Sequence, residues 1–423
     1  MQEAFLHYIW KHKKFDVLHA QTTQYESLTI TSVGQHNHNS GPDFFNAQIR
    51  IGEQLWAGNV EIHINSSDWF AHHHEQDKAY DNVILHVVYN HDTDIFRQDN
   101  SVLPTLELKN YISKDILSNY NSLLAKSEKW LNCENQINLV EDFIIDNWLE
   151  RLYFERLEDK TNVIQQLLKT SNNDWEAVLF KLLAKNFGLK VNGEAFFSMS
   201  KSFDFSVVRK LSSKPDELEA LFFGQSGLFN EVSEVPYFLE LSSKYNFIKQ
   251  KFRLSNESVL PLKFFRLRPK NFPTIRLSQL AMLYSTHQGL FFKVINVKNK
   301  KDIYEMFKTG TSTFWETHYT FQKESKATQK NLSKSFIDLL IINTIIPLKF
   351  AYNQSIGKRN NEAILKLVSQ IKPEKNQVIT AFNKLRPMAN SALQTQALLQ
   401  LKNKYCNYNK CLQCAIGNTL IAK

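Results

Sequence analysis

Asp43 and the step Glu61-Ile62-His63 carry the residue types from which a divalent-cation site is made: two carboxylates separated by seventeen residues, and an imidazole two positions beyond the second. One or two carboxylates suffice for a hard cation such as Mg²⁺ or Mn²⁺ when waters and a substrate phosphate complete its shell. Such a cation polarises the phosphate and lowers the pKa of the attacking water. Asp43, Glu61 and His63 are therefore the candidate catalytic residues, with Asp43 and Glu61 as ligands to Mg or Mn. The same residues also fit a plain β-hairpin that has an acid at strand entry and a polar outer face. A different metal hydrolase is offered by "HHHEQD" (72–77), where His72, His74 and Asp77, together with His86, present N and O donors. Asp68, after two serines, reads as the cap of a helix that begins at Trp69.

The elements that must position these groups follow from local patterning. Glu3 to Phe15 reads as a short amphipathic helix with Phe5, Leu6 and Ile9 on its apolar side. Five segments rich in β-branched and aromatic residues follow, at 26–33, 44–51, 56–64, 82–89 and 103–109, separated by Gly, Asn, Asp and Ser. Residues 65–81 between the third and fourth leave room for a helix or crossover. In "VEIHI" the alternation points Glu61 and His63 one way and Val60, Ile62 and Ile64 the other. With "GEQL" as the turn, an antiparallel hairpin brings Asp43 beside Glu61.

After Tyr111 the period becomes helical, and from Ile137 apolar residues recur at Val140, Ile144, Ile145, Trp148, Leu149 and Leu152. Helices are expected through 175–187, 216–223, 274–285, 361–371 and 390–405, with a short strand pair near 289–297. The reading is an α/β N-terminal domain of α-β-β-β-α-β order over residues 1–125, then a mostly α-helical domain over 126–423 that ends in a Cys-rich segment.

Charge divides along the same seam. Residues 1–134 hold 10 Lys and Arg against 17 Asp and Glu, whereas the remainder holds 41 against 25, and eleven of the thirteen histidines fall between His7 and His91. A Lys/Arg excess is what a polyanion-binding body requires, though a solvated surface carries it as well. It is densest in "KFFRLRPKNFPTIR" (263–276). If that segment is extended before Pro269, Arg266 and Arg268 share a face, and Lys263, Arg266, Arg268, Lys270 and Arg276 are the candidate nucleic-acid contacts, with phenylalanines beneath them or stacked on bases.

Cys406, Cys411 and Cys414 lie close enough in sequence to ligate one metal, and Cys133 is the only other cysteine. Four thiolates suit zinc or a [4Fe–4S] cluster; inert buried thiols are the alternative. The opening "MQEAFLHYIWKHKKF" lacks the apolar stretch of a cleavable signal, and no run reaches the roughly 18 apolar residues of a membrane span. "FIDLLIINTII" (336–346) is broken by Asp338 and Asn343 and reads as a buried helix. The expectation is a soluble, cytoplasmic protein.

The Pro42-Asp43 step, the gap to Glu61-Ile62-His63 and the α-β-β-β-α-β order together resemble the PD-(D/E)XK nuclease superfamily over about residues 1–110. That resemblance implies a restriction-endonuclease-like fold and a Mg- or Mn-dependent cut of nucleic acid, DNA in preference to RNA. Glu3 is the one candidate for the further acid that the first helix of such nucleases sometimes adds. The superfamily usually has Lys where His63 stands; a neutral imidazole binds metal or moves protons but is not a constant positive charge. Over most of its length the chain resembles a bacterial family of the DUF-2851 type, a domain of unknown function common in Bacteroidota-type bacteria. "FLHYIW", "GPDFFNAQIRIGEQLWAGNVEIHINSSDW", "DKAYDNVILHVVY", "FRLRPKNFPTIRLSQLA" and "CNYNKCLQCAIGN" carry that likeness. A rival reading is a non-catalytic nucleic-acid-binding or scaffold protein that keeps a nuclease-like fold.

Overall fold

Helix α1 (Glu3–Lys11) buries Phe5, Leu6, Tyr8, Ile9 and Trp10, so its apolar side is wider than three residues. It belongs to the first of two units into which the chain divides. That unit comprises Met1–Leu149, Ala381–Pro387 and Gln400–Lys423; the second comprises Glu150–Thr380 and Met388–Leu399. The computed structural model describes residues 1–37, 39–97, 99–124, 129–358 and 361–423. The expected boundary between residues 125 and 126 lies outside them.

Each expected N-terminal strand is present: β1 (Leu28–Ser32), β3 (Phe44–Ile51), β4 (Gln54–Asn65), β5 (Val83–Asn90) and β6 (Thr105–Glu107), with a two-residue addition, β2 (Gln35–His36). They form one mixed sheet in the order β1-β3-β4-β5-β6, and β2 pairs with β3. Strands β1, β3 and β4 are antiparallel, whereas β5 and β6 run parallel to β4. The β3–β4 hairpin turns at Gly52-Glu53, between the paired Ile51 and Gln54, and Gly52 supplies the left-handed φ of 57° that the turn needs. Its far end pairs Phe44 with Val60, so the start of β3 reaches the middle of β4. Strand β4 then pairs in parallel with β5, placing Glu61 opposite His86. A parallel pair needs a crossover. Here it is α2 (Asp68–Ala71) followed by single turns at His74–Gln76 and Lys78–Tyr80.

Helix α3 (Lys114–Leu124) completes the N-terminal series, and α4 (Asp142–Lys169) begins the mostly helical remainder. In the second unit the helices Trp175–Phe187, Pro215–Gln225 and Pro273–Thr286 bury nearly every apolar side chain they carry. The strand pair expected at 289–297 is a helix, Leu290–Asn296; its buried residues, Leu290 and Val294, are four apart, which suits one helical face. A strand pair does form later, at His318–Thr320 and Lys323–Glu324. The stretch Lys334–Ser355 is long and apolar enough to cross a membrane, and 67% of its most apolar window is buried within the fold. That share places it among the core helices of the fold.

Candidate metal centre

Strand alternation sends Glu61 and His63 to one side of the sheet, but that side is covered as well. Val60, Glu61, Ile62 and His63 are all buried, with Glu61 5% and His63 2% exposed. The expected polar outer face is therefore a desolvated one. The crossover supplies part of the cover: Trp69, His74 and Tyr80 pack as a ring cluster, and Trp69 and His63 each lie edge-on to His86.

Within this cover the nitrogen and oxygen atoms converge. His63 Nε2 lies 3.1 Å from His72 Nδ1 and 3.5 Å from Glu61 Oε1, and His74 Nε2 lies 3.4 Å from the same Oε1. Metal–nitrogen bonds of about 2.0–2.1 Å in a tetrahedral site imply ligand-to-ligand edges of roughly 3.3–3.4 Å. The His63–His72, His63–Glu61 and His74–Glu61 separations thus lie near such edge lengths. Among the described residues, the ligand atoms of His63, His72 and His74 form the set lying within 4.8 Å of one another. The other ring nitrogen of His63, Nδ1, is 2.8 Å from His86 Nε2. For His63 to offer Nε2 to a metal, Nδ1 must carry the proton and donate to His86, which orients the ring. His86 Nδ1, also buried, then has no partner among the described residues.

Asp43 stands at the start of β3, where the hairpin register predicts it. Its backbone N–H donates to Glu61 Oε2 at 3.1 Å, and its own Oδ2 accepts from Ile62 N–H at 3.0 Å. His7 Nε2, from α1, is 3.2 Å from the same Oδ2 without a hydrogen-bond alignment. Asp43, Glu61 and His63 are thus brought together, and Glu3 joins their field from one turn before His7 on α1.

The electrostatics follow from crowding and burial. Desolvation, then the charge of Asp43, pushes Glu61 up to about 9, so with no cation near it the carboxyl keeps its proton. Burial first, then His74 and His72, holds His63 down to about 3, and burial depresses His74 and His86. Glu3 is raised by burial and then by Asp43. Tyr80, stacked on His74 with ring centroids 3.8 Å apart, is pushed up to about 12 by burial and the nearby carboxylates. Neutral imidazoles are the form that binds metal.

Two separate sequence expectations therefore share one place, because His72 and His74 join Glu61 and His63. Asp77 does not: it accepts from Ala79 N–H at 2.9 Å and caps a turn. Asp68 does not cap forward; its Oδ2 accepts from Asn65 N–H at 2.9 Å, while Asp92 receives the N–H and hydroxyl of Ser67. His7 and Tyr80 were not legible as site residues. His7 shows only as a polar position on an amphipathic helix, and Tyr80 only as an aromatic near a histidine run.

The basic segment behaves differently. Arg266 has a left-handed φ of 63°, so the extended run before Pro269 is broken there. Lys263 is exposed at its side chain, while Asn192 clamps its backbone through two 2.8 Å bonds. Arg268 and Lys270, exposed, line an open cavity of about 800 Å³ in the second unit, with Asn271, Tyr319 and Lys330. Arg276 reaches the same wall but is buried, donating to Gln279 Oε1 at 2.9 Å and Asn271 Oδ1 at 2.6 Å with its guanidinium over the Phe336 ring. It is a structural cation.

No curated protein and no solved structure matches the chain. Residues 3–377 match a family described as proteins of unknown function, DUF2851, and the chain belongs to that family.

Proposed function

We propose that this protein is a metal-dependent hydrolase of phosphodiester bonds in nucleic acid, working in the cytoplasm, with Asp43, Glu61, His63, His72 and His74 at its centre. The observation that carries the reading is the meeting of a carboxylate oxygen and imidazole nitrogens at 3.1–3.5 Å beside a second carboxylate, Asp43. Three imidazoles favour Mn²⁺, Zn²⁺ or Fe²⁺ over Mg²⁺, whose preferred shell is all oxygen. A cation there would polarise the scissile phosphate and lower the pKa of the attacking water. Water adds to phosphorus, one P–O ester bond breaks, and the released alkoxide takes up the proton that the water gives up.

The chain's own residues have distinct tasks in this reading. Glu61 and the three histidines bind the cation. His86 fixes the tautomer of His63, and Asp43, held in place by Ile62 N–H, faces substrate or cation with its remaining oxygen. The element order α1, β1, β3, β4, α2, β5 and the position of Asp43 at strand entry support the likeness to PD-(D/E)XK nucleases, with His63 standing for the lysine. Arg268 and Lys270 on the second unit's cavity supply cationic side chains of the kind that phosphate backbones select.

The test is cleavage of single- and double-stranded DNA and RNA by the full chain across Mn²⁺, Zn²⁺, Fe²⁺ and Mg²⁺. Glu61→Gln should lower the rate by about 100-fold or more with the circular-dichroism spectrum unchanged. If the wild type binds metal and nucleic acid but cuts none of these substrates, the protein is the non-catalytic binder instead.

A further inference from the structure

Four cysteines from two distant stretches of the sequence line one cavity in the first unit. Cys133 comes from the loop before α4, Cys406, Cys411 and Cys414 come from the chain's last twenty residues, and all are free thiols. The walls between them are largely apolar, with Leu131, Ile137, Phe382, Leu401 and Ile416. The loop is tied to the tail by Asn132, which donates to Asn409 Oδ1 at 3.2 Å, and to the stretches before the tail by Lys402, which donates to Trp130 O at 2.7 Å, and Arg386, which donates to Ile137 O at 2.9 Å and Val140 O.

The sulfurs are provided with donors. Asn132 Nδ2 lies 3.4 Å from Cys411 Sγ. Cys414 is the N-cap of the terminal helix Ala415–Ala422, so its sulfur lies at the positive end of that helix, with no side-chain capping bond. Helix N-termini favour thiolate in this way. A Cβ on Gly417 would meet Cys411 O at 2.2 Å, so the Cys411 turn sits directly on that helix. Lys410 lines the cavity and Lys402 approaches Cys406, so cations stand near the thiols. Without a ligand, burial raises all four thiols, Cys133 to about 12 and Cys414 to about 11, which is unlike a reactive nucleophile.

Spacing then distinguishes one ion from a cluster. Among the described residues, the set of three or more His, Cys, Asp or Glu ligand atoms lying within 4.8 Å of one another is His63, His72 and His74, so no three of the four sulfurs do so. Zinc–sulfur bonds of about 2.3 Å would draw the sulfurs to edges of roughly 3.8 Å. A four-iron cluster gives each thiolate its own iron and so holds the thiolates farther apart around an enclosed, mostly apolar space.

We propose that Cys133, Cys406, Cys411 and Cys414 each bind one iron of a [4Fe–4S] cluster seated in this cavity, pinning the chain's tail to the loop before α4. The four thiols release four protons on binding, and because the brown core holds two ferric and two ferrous irons, two ions of each with four sulfides assemble it with no net electron transfer. This inference is independent of the hydrolase reading.

The full chain, purified and reconstituted with equal amounts of ferrous and ferric iron and with sulfide under exclusion of oxygen, decides the matter. The expected product is brown, absorbs near about 400 nm, and holds about four irons and four acid-labile sulfides per chain. Sulfide separates a cluster from iron held by the histidines. Cys411→Ser should lose most of the absorption and sulfide, whereas His72→Ala should keep both. Colourless protein with one zinc and no sulfide, or protein that takes up neither, overturns the proposal, and the wild-type sulfide count decides even if Cys411→Ser fails to fold.

Discussion

The titratable groups of the first unit's sheet face one another, whereas the buried cations of the second unit each face a complementary partner. Around β4, imidazole nitrogens and carboxylate oxygens meet at 2.8–3.5 Å: His63 with His86 and His72, and Glu61 with His63 and His74. In the second unit, Arg276 meets Gln279 and Asn271, Lys349 meets the carbonyls of Val294, Ile295 and Val297, and Lys330 meets those of Trp315 and Glu316. Buried polar groups are ordinarily paired donor to acceptor. Where imidazoles and carboxyls face one another, the proposed reading has a cation supply the positive charge; where cations face carbonyls, the charge is already matched within the fold. Charge counting alone does not separate the two cases, because both regions are rich in ionisable residues.

The largest effect that follows is on metal affinity. On the proposed reading His72→Ala removes a direct ligand, and the residue adds little to the core, since His72 is itself exposed. Affinity for Mn²⁺ or Zn²⁺, measured by calorimetry on the full chain, should fall by about 100-fold or more, while the melting temperature of the metal-free protein stays within a degree or two. A variant that melts much earlier without losing affinity would mean that the histidines are structural and would dissolve the contrast.

The second effect reverses the sign of that trade. Arg276→Ala should lower stability by about 2–3 kcal/mol, because it strips hydrogen bonds to a charged group from Gln279 and Asn271 and uncovers Phe336. Arg268→Ala, on the open cavity wall, should stay within about 0.5 kcal/mol in urea unfolding. Nucleic-acid binding should respond the other way, with Arg268→Ala reducing the slope of affinity against salt by about one ion. Equal stability losses at the two positions would show that the cavity wall is one structural network.

How much of this was legible depends on what fixes each side chain's direction. A strand's period of two is rigid, so Glu61 and His63 had to share a face, and the short Gly52-Glu53 turn had to bring Asp43 beside them. The joining of His72 and His74 to that face rests on His73, which takes a left-handed φ of 60° between two short turns. Neither helical nor strand periodicity signals such a residue. The same holds for Arg266, whose positive φ breaks the extended run that would have paired it with Arg268. Arg276 departs from the expected surface contact because its helix, Pro273–Thr286, is buried nearly all round, which leaves its guanidinium held by Gln279, Asn271 and the Phe336 ring. At 289–297 a run of β-branched and aromatic residues suggested strands, yet Glu176 accepts from Phe291 N–H at 3.1 Å and helps the backbone enter a helix.

The smallest effect tests whether a satisfied cation still costs stability. Lys160, on α4, is partly exposed along its stem, but its ammonium is enclosed, donating to Asn343 Oδ1 at 3.1 Å and lying 3.4 Å from Ile342 O. Burial, and then the charge of Arg156, holds it down to about 7 from an ordinary 10.5, with Glu374 opposing. Below pH 7 both folded and unfolded chains carry the proton and the desolvation cost is complete. Between 7 and 10.5 the folded chain loses the proton while the unfolded chain keeps it, so the unfolded state binds more protons and stability rises with pH. Raising the pH from 7 to 9 should therefore add about 2 kcal/mol from this one group. Urea unfolding of the wild type and Lys160→Met at the two pH values isolates it: the wild type should gain more than the variant by that amount. Parallel gains in both proteins would mean that the ammonium keeps its proton when folded, and that the carbonyls and the amide offset the burial completely.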